Sequence, residues 1–221
     1  MAQSEEAQAP GQVLGCPFCA RDEIEGLLTE TPHFYIAADH APLVAGHTLI
    51  IPKAHYACYG AIPMALESEF LALKETLRRF LCEHYRAPTF FEHGIFRQTV
   101  FHAHLHAIPL GPADLNLEEM ATQSGGQPLH SLADLRAWYA ERGHYFTLET
   151  PDDAERGRRA QAAIFPPEMG VYGRALNALH SLTNVREGWA PPQLRYATRA
   201  PKMRALLQSW QAWNAQEARR A

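Results

Sequence analysis

"FHAHLHAIPL" (residues 101–110) carries histidine at 102, 104 and 106, separated by Ala103 and Leu105. Side chains in a β-strand alternate faces with a period of two. A strand through this stretch therefore puts three imidazoles on one face and leaves the apolar contacts of Ala103, Leu105, Ala107 and Ile108 mostly to the other. Burying three imidazoles side by side costs desolvation unless each finds a partner. The partners that would make the arrangement useful are a metal ion, an anion or a reacting group. A single histidine in a strand is usually a satisfied core or surface residue, whereas three in register point to a site.

The flanks of this stretch set the architecture. "TFFEHG" (89–94) and the run 99–110 read as two strands around a short loop. Upstream, residues 63–86 place Leu66, Phe70, Leu73, Leu77, Phe80 and Leu81 at spacings of three and four, the period of a helix with one apolar face. Pro63 suits its first turn, and Arg78, Arg79 and Arg86 suit its end. Further upstream, "HFYIAAD" (33–39) and "HTLIIPK" (47–53) read as strands of a hairpin joined by "APLVAG". The expected fold class is α+β: an antiparallel sheet with one long packed helix, followed by a mostly helical C-terminal extension. Residues 1–13 form an arm, 14–111 the sheet-and-helix domain, and 112–221 the extension. Within the extension, helices are expected at 129–143 with Ser131 as N-cap, at 168–183, and at 201–220. A strand is expected at 144–150, and a loop or charged helix at 151–165. Trp189 and the helix around Leu176 and Leu179 are expected to cover one edge of the sheet. Arg174 and Arg186 read as surface or salt-bridge residues.

The bulk numbers exclude some functions. The chain has 221 residues, 47% of them hydrophobic and 20% charged, with a net charge of −4. That balance is globular and argues against a generally basic nucleic-acid binder. No apolar run approaches the roughly 18 residues of a membrane span. The first fifteen residues lack the basic start and apolar stretch of a signal peptide, so a cytoplasmic location is expected. Cys16 and Cys19 lie at C-x-x-C spacing, which in such a protein suggests metal or redox chemistry before a structural disulfide. Reduced thiols near a chain terminus are the plainer alternative. Cys58 and Cys82 read as small buried hydrophobes.

"HAHLHAI" resembles the motif His-φ-His-φ-His-φ-φ, with φ apolar, of the histidine triad (HIT) superfamily of nucleotide hydrolases and transferases. "AGHTLIIPKAH" (45–55) and "RQTVFHAHLH" (97–106) are similar to the family's segments leading up to the triad, and the resemblance covers residues 14–110. It implies that His104 is a nucleophile attacking an α-phosphorus to form a covalent nucleotidyl-histidine. It further implies that His106 contacts the phosphate oxygens and assists proton movement, and that Thr99 donates a hydroxyl to the same phosphate. His47 would orient the site, and Asp39 would bind the ribose hydroxyls. The bland alternatives are a hydrogen-bonded core histidine for His47 and a turn cap for Asp39. Gln98 would contact phosphate or form a surface hydrogen bond. His93, in "FEHG", stands where uridylyltransferase relatives carry Asn against the phosphates. Relatives with a C-x-x-C use it, the histidine after "IPK-x" and the first triad histidine as zinc ligands, here Cys16, Cys19, His55 and His102.

The resemblance thus implies a hydrolase acting on a nucleotide substrate, with structural zinc and a homodimer as one state of assembly. A nucleotidyltransferase or phosphorylase, and a non-enzymatic RNA- or nucleotide-binding module, are the alternatives. Histidine rather than glutamine at position 106 favours the hydrolase.

Overall fold

A computed structural model describes residues 11–113, 115–153, 155, 157, 159–182 and 191–220. Trp189 and Arg186, and most of the expected N-terminal arm, lie outside them. The chain builds one antiparallel sheet from β1 (Leu27–Glu30), β2 (Phe34–Ala38), β3 (Thr48–Pro52), β4 (Thr89–Glu92), β5 (Leu105–Ile108), β6 (Gln127–Pro128), β7 (Phe146–Thr150) and β8 (Gln161–Phe165). Their spatial order is β1-β2-β3-β5-β4-β7-β8-β6. The expected hairpin is present, with Ile36 opposite Ile50 and Ala37 opposite Leu49.

Between β3 and β4 runs α1 (Glu67–His84), preceded by one tight turn at Met64–Leu66. Its apolar stripe of Phe70, Leu73, Leu77, Phe80 and Leu81 is buried in one core with Phe34, Ile36, Ile50 and Phe90 of the sheet. Burial of each such side chain stabilises the fold by about 1.5–3 kcal/mol. Cys58 belongs to this core, but Cys82 lies on the outer side of α1 and is exposed, contrary to expectation. The helical period explains the difference, because position 82 falls one residue past the buried stripe.

The C-terminal half contributes α2 (Leu117–Gln123), α3 (Leu132–Arg142), α4 (Met169–Leu182), α5 (Pro192–Ala197) and α6 (Arg199–Arg220). The α3 start is fixed by a capping box between Ser131 and Asp134, and it stops at Gly143. Trp210 and Trp213 of α6 pack edge-on to Phe80, at 4.9 and 5.5 Å between ring centroids, so α6 joins the core at the buried stripe of α1. This half also adds β6, β7 and β8 to the sheet, with β7 along the free side of β4. The stretch 151–165, expected as loop or charged helix, ends in β8. Its run Ala162-Ala163-Ile164-Phe165 pairs with β7, and a strand is favoured there because both its neighbours in the sheet supply ladder partners.

The strand expected over 99–110 is shorter, because β5 begins only at Leu105. The backbone before it bonds elsewhere. The Ala103 N–H donates to the Tyr56 carbonyl (2.6 Å) and the His102 N–H to that of Val100 (2.8 Å). Two of the three triad histidines therefore precede the strand, His102 in a bend, and only His106 sits on it.

Candidate functional site

The sheet face opposite α1 carries two apolar clusters. One joins Tyr35, Ala37, Leu49 and Ile51 to Phe18, Ile24 and Leu27. The other joins Phe91, Ile108 and Leu110 to Val171, Tyr172, Ala175 and Leu179 of α4. A cavity of about 630 Å³ opens on this face. It is lined by Asp39, His47, His93, Thr99, His104 and His106 among others. That volume is within the ordinary range for a small-molecule site.

The turn into β3 needs Gly46, whose φ is +83° and whose added Cβ would meet the Tyr85 ring at 2.9 Å. It delivers His47 to the floor of the cavity. There the Leu43 N–H donates to His47 Nδ1 (3.2 Å), and His47 Nε2 lies 3.0 Å from His106 Nδ1. Since Nδ1 of His47 accepts, the proton of the neutral ring is on Nε2 and is donated to His106 Nδ1. His106 must then hold its own proton on Nε2, an atom with no hydrogen-bond partner among the described residues. His106 thus carries an unpaired N–H enclosed in the cavity wall. Asp39 fixes the turn through Oδ1, which accepts the Ala41 N–H at 2.7 Å. Its Oδ2 stands 3.8 Å from both His47 Nε2 and His106 Nδ1.

His104 is set the other way round. Its Nδ1–H donates to the backbone carbonyl of His102 (2.7 Å), so Nε2 keeps its lone pair. The same carbonyl accepts from Gln98 Nε2 at 2.7 Å, so Gln98, buried, braces the triad segment from behind. Burial holds the pKa of His104 below the usual imidazole value, outweighing the pull of the His102 carbonyl and of Asp39. Burial likewise depresses His47, and depresses His106 strongly, with the neighbouring imidazoles and Arg195 adding to the effect on His106. His93, whose Nδ1–H donates to the Phe96 carbonyl at 3.1 Å, is pushed down to about 4 by burial. Desolvation dominates in every case, so these rings are neutral near pH 7. His104 and His106 lie 5.0 Å apart between ring centroids, edge to face.

The ring of His102 turns away from this group, towards the knuckle of Cys16 and Cys19. Its Nε2–H donates to the Pro52 carbonyl (2.7 Å), which leaves Nδ1 as the lone-pair side. Nδ1 lies 3.4 Å from Cys16 Sγ and 3.5 Å from Cys19 Sγ, and His55 Nδ1 lies 3.4 Å from Cys19 Sγ. The four ligand atoms are all within 4.8 Å of one another. A tetrahedral zinc with Zn–S of about 2.3 Å and Zn–N of about 2.05 Å separates sulfur from nitrogen by roughly 3.5 Å. Donor set and spacing therefore fit zinc. Phe18, between the two cysteines, packs edge-on to the His104 ring at 5.2 Å, so the knuckle is also a wall of the cavity.

Other lining residues were not evident from the sequence: Tyr172, Leu176 and Leu179 of α4, and Arg195, Tyr196 and Arg199 of the chain's last helices. No motif marks them, because they reach the cavity only through the packing of the C-terminal half. Phe34 and Ile36 face the α1 core and are not among the lining residues.

A family model described as the HIT domain matches residues 22–112. An uncharacterized HIT-like protein of Mycoplasma genitalium is 32% identical over 107 residues, which cover 42% of this chain and 72% of that protein. Among solved structures, a Zn-bound histidine triad family protein from Mycobacterium smegmatis is 30% identical over 43% of this chain and 74% of its own, with a TM-score of 0.39. A HIT family protein from Bacillus anthracis is 27% identical over 44% and 74%, with a TM-score of 0.40.

Proposed function

We propose that this chain, which belongs to the HIT family, is a nucleotide hydrolase that cleaves a phosphoanhydride or phosphoramidate at a nucleoside α-phosphate and releases the nucleoside monophosphate. The observation that carries the reading is the fixed tautomer of His104. A proton held on Nδ1 by the His102 carbonyl leaves an unprotonated Nε2, and the ring lines the cavity. Only an unprotonated nitrogen can attack phosphorus. Attack forms the Nε2–P bond and breaks the bond to the leaving group. The charge that develops on the ring is shared through Nδ1–H with the carbonyl. Water then attacks phosphorus, breaks the Nε2–P bond and restores the neutral imidazole. Dividing one displacement into two lowers each barrier.

His106 supports the same reading, because its Nε2–H is oriented by the chain Leu43 N–H, His47, His106 and has no partner of its own. A small rotation of the ring that uncovers this N–H lets it donate to the phosphoryl oxygens or to the leaving atom, where charge develops. Thr99, exposed on the lining, adds a hydroxyl, and Asp39 meets the ribose. His93, neutral and beside His106 at 5.6 Å between ring centroids, closes the phosphate side. Cys16, Cys19, His55 and His102 would hold zinc as a structural ion, tying the N-terminal knuckle to the approach of the catalytic strand and so positioning His104 two residues on. The chain acts on nucleotides in the cytoplasm, and among the described residues no helix is long and apolar enough to cross a membrane.

The test is a panel of nucleoside phosphoramidates, dinucleoside polyphosphates and cap analogues, with mass spectrometry of the quenched protein. Turnover that His104→Ala abolishes, with a nucleotidyl adduct on His104, supports the reading. Turnover unaffected by His104→Ala, or none on any substrate, ends it. Transfer of the nucleotidyl group to phosphate or a sugar phosphate in preference to water assigns the chain to the transferases instead.

A further inference from the structure

The reacting histidines have an apolar flank on each side. Across the ladder His106 stands opposite Leu49 of β3 on one side and Phe91 of β4 on the other, and residues paired in this way share a face. Leu49 belongs to the cluster over β2 and β3, and Asp39 follows directly on β2. Phe91 belongs to the other cluster, which α4 completes. The cavity extends over both flanks. On the β4 side it is lined by Phe91, Ile108, Leu110, Tyr172, Leu176 and Leu179. The last three recur on α4 at spacings of four and three, so one stripe of that helix faces the cavity. Of the six, only Tyr172 has a polar side-chain atom, and its ring is wedged edge-on against Phe96 (5.5 Å) and Phe146 (5.4 Å).

His93 stands between this flank and the reacting pair. Its ring centre is 6.0 Å from that of Tyr172, 5.6 Å from that of His106 and 6.3 Å from that of His104. Its Nδ1–H goes to the Phe96 carbonyl, which leaves the lone pair on Nε2. A lone pair repels the oxygens of a polyphosphate chain. The cations among the described lining residues are held elsewhere. Arg199 pairs with Glu25, just before β1, and Arg195 donates to the Ala41 carbonyl in the turn between β2 and β3. Arg97, whose charge reaches Tyr172, is exposed and does not line the cavity. In an in-line displacement the leaving group lies across phosphorus from the attacking His104 Nε2. With the nucleoside on the Asp39 side, the α4 flank is the part of the cavity left to receive it.

We propose that the flank between β4 and α4 is a leaving-group subsite that takes an uncharged apolar body, an aromatic ring or a branched hydrocarbon, attached to the α-phosphate of the nucleotide. The inference rests on the reading of the cavity as a site of α-phosphate cleavage. It gives the C-terminal half the choice of leaving group, because α4 lies outside the sheet-and-helix domain that carries the triad. A chain of further phosphates is disfavoured there, since its charges would be desolvated against leucine.

The experiment measures binding apart from chemistry, by calorimetry on the full chain purified with zinc and carrying His104→Ala so that no substrate is consumed. The ligands are the 5′-phosphoramidates of each common nucleoside with ammonia, methylamine, isobutylamine or benzylamine, and the corresponding triphosphates. Within one nucleoside, affinity is expected to rise about fourfold per methylene buried, and the benzylamide to bind about 10- to 100-fold more tightly than the unsubstituted amide. Leu176→Asn should lower that ratio about tenfold, whereas Leu176→Met, which keeps volume and polarity, should retain it. Leu176 is only partly buried, and thermal melts verify folding of both variants. Equal affinity along the amine series, tighter binding of the triphosphate than of the benzylamide, or a ratio unmoved by Leu176→Asn each overturns the proposal. The hydrolase reading is judged separately, by turnover in the chain with His104 intact. A graded series without turnover sustains the apolar subsite and ends the hydrolase, and turnover with a flat series does the reverse. A chain that binds none of these compounds defeats both.

Discussion

His102 and His104 are two residues apart, both are buried, and both donate one ring N–H to a backbone carbonyl 2.7 Å away. They are nevertheless set for opposite tasks. The carbonyl of Pro52 takes the Nε2 proton of His102, so Nδ1 faces two thiols. The carbonyl of His102 takes the Nδ1 proton of His104, so Nε2 is the atom left to react. Imidazole chemistry is decided here by which nitrogen the backbone occupies, and residue type alone does not distinguish a ligand from a nucleophile.

The sharpest way to break this comparison is to delete the rings in turn. His104→Ala should lower turnover on the order of 10⁴-fold or more, while zinc content stays at one ion per chain. Loss of the metal in this variant would mean that His104 is a ligand and that the two rings are not separate in function. Conversely, Cys19→Ser or His55→Ala should abolish stoichiometric zinc. Stability should fall by a few kcal/mol, which for a chain of this size is roughly 5–10 °C in Tm. Activity should fall as a consequence, and chelation of the wild-type protein should reproduce both losses. Unchanged melting after complete chelation would contradict a structural ion.

The pH dependence sharpens the contrast between this face and the one beneath α1. Burial depresses the imidazoles, so their contribution to stability is complete above the ordinary histidine pKa of about 6.5 and is lost as pH falls through their folded values. For His93 that window runs from about 6.5 down to about 4. Glu92 behaves oppositely. It is fully enclosed on the α1 side of β4, accepting from the Tyr59 N–H at 2.7 Å and the Tyr145 hydroxyl at 3.0 Å, and burial pushes its carboxyl up to about 8. Its contribution is complete below the ordinary carboxyl value and is lost as pH rises through about 8. Melting temperature should therefore peak between the two limbs, and Glu92→Gln should flatten the alkaline limb alone. An alkaline limb that persists in Glu92→Gln would refute this assignment. Activity should hold down through pH 6.5 before an acid limb, because His104 remains neutral there.

Gln98→Ala tests the smallest effect. It removes one of the two donors on the His102 carbonyl, a bond worth about 1 kcal/mol, and should lower kcat roughly fivefold with zinc retained. A drop as large as that of His104→Ala would mean that Gln98 acts on the substrate itself.

Much of this was legible in the chain. The period-two histidines, the helical stripe of 63–86 and the hairpin 33–53 are local patterns, and local patterns follow from the geometry of strand and helix. Ser131 and Gly143 bounded α3 for the same reason. What escaped depended on distant partners. The strand at 161–165 has no alternation of its own and becomes a strand because β7 and β6 lie beside it. The approach to β5 leaves the ladder because Tyr56, far along the chain, accepts its N–H. Arg195 sits in "PPQLRYATRAPK", where nothing separates it from a surface arginine until α5 is docked on the Ala41 turn.

By itself, the sequence determined the triad, the C-x-x-C knuckle and the sheet-and-helix architecture, since each is written in spacings of a few residues. Only the tertiary structure decided which nitrogen of each histidine is left open and which residues of the C-terminal half face the cavity. Both depend on hydrogen-bond partners and burial contributed by segments remote in the chain, and desolvation by those segments keeps the imidazoles neutral.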